Sequence, residues 1–152
     1  MRRLLERRYN PGIHHRRSIR LKGYEYSRPG AYFVTICVRT RECLFGNISN
    51  GQMVLNDAGR IIERVWEGLP ARFPSVELDA FALMPNHVHG IIAIVGVGLA
   101  LPKKGAASSA PTLGDVVRTF KSISAIRVNR LLSCSGQPLW QRNYYEHIIR
   151  ND

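Results

Sequence analysis

His87 and His89 stand one residue apart in Met84-Pro85-Asn86-His87-Val88-His89-Gly90-Ile91-Ile92-Ala93-Ile94. Side chains on a β-strand alternate between faces, so residues two apart point the same way. The spacing predicts two imidazoles side by side on one face, with Val88 turned to the core. Two neutral imidazoles so placed can chelate one divalent metal. The alternative is a pair of ordinary polar residues on a strand surface. No carboxylate lies close in sequence to complete a metal site.

The elements needed to hold this pair are legible around it. Pro85-Asn86 is a turn former, which places the histidines at a strand start, near a sheet edge or mouth. The apolar run Ile91 to Val95 continues that strand, and Val76 to Met84 forms its antiparallel neighbour. Ala31 to Val38 is rich in β-branched and aromatic residues and reads as a buried strand. Residues 43–48 and 52–55 flank Asn50-Gly51, the dipeptide of a tight hairpin. Asn56 caps a helix whose apolar positions Ala58, Ile61, Ile62, Val65, Trp66 and Leu69 recur at helical spacing, with Gly68 and Pro70 ending it. Thr112 with Asp115 forms a capping-box signature for a helix running to about Leu132. Trp140 to Arg150 holds a last short strand. The order strand, helix, strand, strand, helix, strand predicts an α+β ferredoxin-like sandwich: an antiparallel sheet with helices on one face. Trp66 is a core residue by its spacing, and Trp140 is core or a base platform. The aromatic motif of RNA-recognition modules, which share this strand order, is absent.

Composition narrows the partner. The chain has 152 residues, 45% hydrophobic, and a formal net charge of +11, with a pI near 10.3. One domain with a real core and a polyanionic partner, nucleic acid, is the expectation. No apolar run approaches membrane-spanning length. Cys37, Cys43 and Cys134 lack metal-type spacing and read as reduced thiols of a cytoplasmic protein. Residues 1–30 read as a basic N-terminal arm, eight of whose first 22 residues are Lys or Arg. The arm is either a phosphate-gripping segment or a solubilising tail. Residues 96–111, rich in Gly, Ala, Ser and Pro, read as a flexible loop. Candidate DNA contacts are Arg16, Arg17, Arg20 and Lys22 in the arm, Arg118 and Lys121 on one helix face, and Arg142.

Several stretches together resemble the REP-associated tyrosine transposases, a branch of the single-tyrosine HUH transposases. They are Arg16-Arg17-Ser18-Ile19-Arg20-Leu21-Lys22-Gly23-Tyr24, Pro29-Gly30-Ala31-Tyr32-Phe33-Val34-Thr35-Ile36, Met84-Pro85-Asn86-His87-Val88-His89-Gly90 and Trp140-Gln141-Arg142-Asn143-Tyr144-Tyr145-Glu146-His147-Ile148-Ile149-Arg150-Asn151. The resemblance covers residues 16–151. It implies a ferredoxin-like domain that pairs into a homodimer and acts on single-stranded or hairpin DNA. It implies that His87 and His89 hold a divalent metal, Mg²⁺ or Mn²⁺, which polarises the scissile phosphate. A tyrosine hydroxyl then attacks phosphorus to give a 5′-phosphotyrosine link and a free 3′-OH.

In that family the nucleophile lies on a helix after the Tyr-Tyr-Glu-His segment, with a third polar ligand one turn further on. The chain ends at Asp152, where that helix is expected to begin. The expectation is therefore a transposase domain over 31–152 lacking its catalytic helix, which binds DNA without cutting it. Tyr144 and Tyr145 are substitute nucleophiles or, on a strand, one core ring and one outward ring able to stack on a base. Tyr9, Tyr24, Tyr26 and Tyr32 make weaker candidates. His147 is an extra ligand or a hydrogen-bonding residue beside DNA. Two other functions remain open: a non-catalytic DNA-binding or regulatory remnant with idle histidines, and a metal-dependent phosphodiesterase using activated water.

Overall fold

The computed structural model describes residues 21–26, 28–96 and 110–150. In chain order the elements are β1 (Gly30–Cys37), β2 (Gly46–Ser49), β3 (Gln52–Leu55), α1 (Asp57–Glu67), α2 (Leu69–Arg72), β4 (Val76–Met84), β5 (His87–Ile94), α3 (Leu113–Leu131) and β6 (Tyr145–Ile149). The four-stranded sheet has the order β4-β5-β1-β6, and β2 and β3 form a separate hairpin. Every described pairing is antiparallel. This is the ferredoxin-like arrangement expected from the element order, with the hairpin inserted after β1.

Alternation decides which sheet face is covered. Tyr32, Val34 and Ile36 on β1 and Val88, Ile92 and Ile94 on β5 are buried, joined by Val65, Trp66 and Leu69 from the first two helices and by Val116, Val117 and Phe120 of α3. The residues between them, including Phe33, Thr35, His87, His89 and Ile91, are half-buried on the opposite face. Both long helices therefore pack on one side, and the histidines look out from the other.

Local signals explain the element ends. Asn50 and Gly51 have φ of 50° and 74°, the positive pair that a two-residue hairpin turn requires. Asn56 Oδ1 accepts from Gly59 N at 2.9 Å. Thr112 and Asp115 form the reciprocal capping box at the start of α3. Trp66 and Trp140 are both core residues.

Three boundary expectations need correction. Of the edge or mouth expected for the histidines, the edge is excluded: they start an interior strand, with β1 and β4 flanking β5 on either side, and so stand at the strand-end mouth of the sheet. Residues 43–45 precede β2 as irregular chain. Gly68 ends α1, but Pro70 does not stop helical structure: it sits in the first turn of the short α2, where its missing N–H costs nothing. The last short strand lies within Trp140 to Arg150 as expected, at Tyr145–Ile149, and Trp140 makes an isolated bridge to Val38. Tyr24 and Tyr26, within the segment read as the arm, pack against the core. Most of the loop read at 96–111 lies outside the described residues.

Candidate metal centre and basic cleft

The turn before β5 is held at two points. Val38 N donates to Asn86 O at 2.9 Å, and Phe45 N donates to Pro85 O at 3.0 Å. Asn86 Nδ2 donates to Arg41 O at 3.0 Å, which leaves Oδ1 facing His87. His87 Nδ1 lies 2.7 Å from that oxygen. Oδ1 only accepts, so Nδ1–H donates and Nε2 of His87 carries the lone pair.

His89 is oriented from the neighbouring strand. Its Cα partner on β1 is Thr35, whose Oγ1 lies 2.8 Å from His89 Nδ1. Its ring also stacks on Phe33, with centroids 5.5 Å apart. The two Nε2 atoms come within 3.1 Å of each other. Burial lowers the pKa of His89, and His87 beside it adds to that, so the neutral ligand form is favoured.

The spacing of the two Nε2 atoms is compatible with two adjacent positions on a divalent cation. At a metal–nitrogen distance of about 2.1 Å, nitrogens 3.1 Å apart subtend roughly 95°, near the right angle of two adjacent octahedral positions. Each outer ring nitrogen has an oxygen partner, the usual device for fixing a metal-binding imidazole. Among the described residues no third His, Cys, Asp or Glu joins the pair. His147 is thus no part of a three-residue cluster with them. Thr35 and Asn86 were missed as site residues in the sequence. Asn86 has a signal in its place beside His87, whereas Thr35 has none without the strand register.

The two candidate tyrosines divide as alternation predicts. Tyr144 packs against the core side. Tyr145 pairs with Thr35, which pairs with His89, and is 55% exposed. It shares the histidines' face two strand spacings away, about 10 Å. Tyr32 is buried, and Tyr24 and Tyr26 pack on the core. Tyr9 lies outside the described residues.

Three of the basic candidates converge. Arg118, Lys121 and Arg142 line one cleft of about 390 Å³ with Thr112, Asp115 and Tyr144. Lys121 Nζ donates to Gln141 O at 2.6 Å and to Arg142 O at 3.1 Å, tying α3 to the chain entering β6. Burial lowers the Lys121 pKa. Trp140 fixes the same segment by donating Nε1–H to Ser124 Oγ at 2.9 Å. Lys22 is exposed, while Arg16, Arg17 and Arg20 lie outside the described residues.

A protein of Haemophilus influenzae with no assigned function is 47% identical over 159 aligned positions, covering 95% of this chain and 84% of its own. The chain belongs to that protein's family. No established family model matches it. Among solved structures it is similar to a REP-associated tyrosine transposase bound to a REP hairpin (TM-score 0.55, 19% identity, 85% of this chain). The chain spans 61% of that transposase's length. It is also similar to a Deinococcus radiodurans protein provisionally assigned as a transposase (TM-score 0.54, 18% identity, 86% of this chain and 85% of that one). The fold is therefore transposase-like. No helix among the described residues is long and apolar enough to cross a membrane.

Proposed function

We propose that this protein is a DNA-binding domain of the tyrosine-transposase type, which takes single-stranded or hairpin DNA on the open face of its sheet. The observation that carries the reading is the pair of histidine Nε2 atoms 3.1 Å apart, each ring held at its other nitrogen. His87 and His89 would hold Mg²⁺ or Mn²⁺, which when bound supplies Lewis-acid polarisation of a phosphate oxygen. The charge of +11 supports a polyanionic partner. The similar transposase was solved with a REP hairpin, which favours a folded or single-stranded DNA over plain duplex. Two copies acting together as a homodimer, in the cytoplasm, belong to the same reading.

Binding without covalent attachment is the proposed activity of the chain. Among the described residues the tyrosine on the histidine face is Tyr145, whose backbone lies two strand spacings, about 10 Å, from that of His89; the strand register by itself does not bring its hydroxyl to the histidine nitrogens. The experiment is a labelled hairpin oligonucleotide with Mn²⁺, run on native and denaturing gels. A retarded native complex with no protein-linked denaturing band is expected. A linked band that disappears in Tyr145→Phe would make Tyr145 the nucleophile. Preference for plain duplex would overturn the reading, as would Mn²⁺ binding that survives His87→Ala with His89→Ala. Sedimentation of the full chain tests the dimer.

A further inference from the structure

The cleft between α3 and the start of β6 is distinct from the histidine face. β6 is an edge strand of the sheet. Tyr145 looks toward the histidine side and Tyr144 toward the core side, so the cleft beside Tyr144 opens around that edge. Among the described residues its charge is unbalanced: three cationic side chains face one carboxylate. That carboxylate is already engaged, because Asp115 Oδ2 accepts from Thr112 N and Oγ1 and Oδ1 pairs with Arg118. Asp115 therefore offsets one cation and has little left to offer a ligand. Arg118 has four further N–H donors and Lys121 one, by the ordinary inventory of these groups. The cleft wants an anion.

Its shape asks for more than a bare anion. A volume of about 390 Å³ falls in the range of small-ligand pockets, from about 300 Å³ upward, and far exceeds what a lone phosphate fills. Tyr144 and Val117 add an aromatic and aliphatic wall beside the cations. Cations next to an aromatic ring suit a phosphate with its base attached, since every base has a face to stack. The capping box occupies the Asp115 amide and Tyr26 O accepts from the Leu113 amide, so recognition falls mainly to the side chains.

We propose that this cleft is a nucleotide subsite, in which Arg118, Lys121 and Arg142 hold a phosphate and Tyr144 packs on the base it carries. It rests on the reading of the protein as a nucleic-acid binder. A strand lying across the open face passes Tyr145, turns over the β6 edge and places one unstacked nucleotide here. Arg118 and Arg142 are exposed, and Thr112 alone still caps α3 without Arg118. Their substitution by glutamine therefore leaves the fold intact.

The test uses the full chain, isotope-labelled, with thymidine 5′-monophosphate, thymidine and inorganic phosphate as separate probes. The monophosphate should shift the amide signals of Gly114, Val117 and Tyr144, thymidine much less, and phosphate should move the arginines without the Tyr144 ring. Arg118→Gln with Arg142→Gln should weaken the monophosphate about tenfold. Tyr144→Ala should weaken it similarly while Tyr144→Phe retains it, in line with stacking contributions of roughly tenfold per base. With a short oligothymidylate, the double substitution should flatten the slope of log affinity on log salt by about 0.7 for each phosphate no longer neutralised. Shifts confined to other parts of the protein, or none, overturn the subsite. If the hairpin binds with an affinity indifferent to these substitutions, the subsite falls and the DNA-binding reading stands. If the monophosphate binds here while no oligonucleotide does, the reverse holds.

Discussion

Trp66 of α1 lies directly on Gly90, the residue after His89. A Cβ at position 90 would come within 2.3 Å of Trp66 Cζ2 and 2.5 Å of Cη2. The glycine that closes the His-Val-His-Gly run is thus the contact point between the histidine strand and the helix layer. The Trp66 ring also stacks on Phe81, with centroids 5.0 Å apart, so it has little room to withdraw.

Gly90→Ala should therefore destabilise the fold by about 1–3 kcal/mol, the usual cost of overpacking a filled core. Moving β5 also moves His89, so Mn²⁺ affinity should fall with stability. Urea unfolding and calorimetry on the same protein check both. Unchanged stability would mean that α1 yields freely at this contact.

Thr35→Val keeps the shape of the side chain but removes the oxygen beside His89 Nδ1. Mn²⁺ affinity should drop roughly ten- to hundredfold, as for other partners that orient metal-binding imidazoles. The melting temperature should change far less than the affinity. Equal Mn²⁺ affinity in the two proteins would remove Thr35 from the site.

Glu146 faces the core with 8% exposure, and both carboxylate oxygens are buried without a hydrogen-bond partner among the described residues. An unsatisfied buried polar group costs about 1–3 kcal/mol. Glu146→Met should raise the thermal midpoint, and Glu146→Gln should raise it less because the amide still lacks partners. A lower midpoint for Glu146→Met would reveal a partner for the carboxylate in solution.

Hydrogen bonds from Thr112 N and Oγ1 hold the Asp115 pKa below its ordinary 3.8. A depressed carboxyl pKa means the folded state favours the ionised form. Its contribution is present above pH 3.8 and is lost as pH falls through the lower folded value. Asp115→Ala should cost about 1 kcal/mol at neutral pH, as for other helix caps. The gap from the parent protein should shrink below pH 3.8. A gap constant through pH 2 would assign the loss to packing.

Much of the molecule is written in short-range pattern. The His87 and His89 spacing determined that both imidazoles share a face, because strand alternation needs only the chain itself. Asn50-Gly51, Asn56 and the Thr112/Asp115 pair determined a turn and two helix starts, since each works through bonds within a few residues. The bounds of β4 were readable in the same way, but its irregularity between Leu78 and Phe81 left no mark in the residue pattern.

Tertiary structure decided what surrounds the histidines. Thr35 reaches His89 only because β1 pairs with β5 in one register, across 54 residues of sequence. A slip of one residue would turn Thr35 to the other face. Arg118, Lys121, Arg142 and Tyr144 meet because α3 packs beside the entry to β6, and nothing in their sequence separation encodes that distance. Strand and helix periods are properties of a local backbone, whereas register and packing depend on which distant surfaces exclude water together. The histidine pair was therefore visible in seven consecutive residues, and its orienting partners and the basic cleft were not.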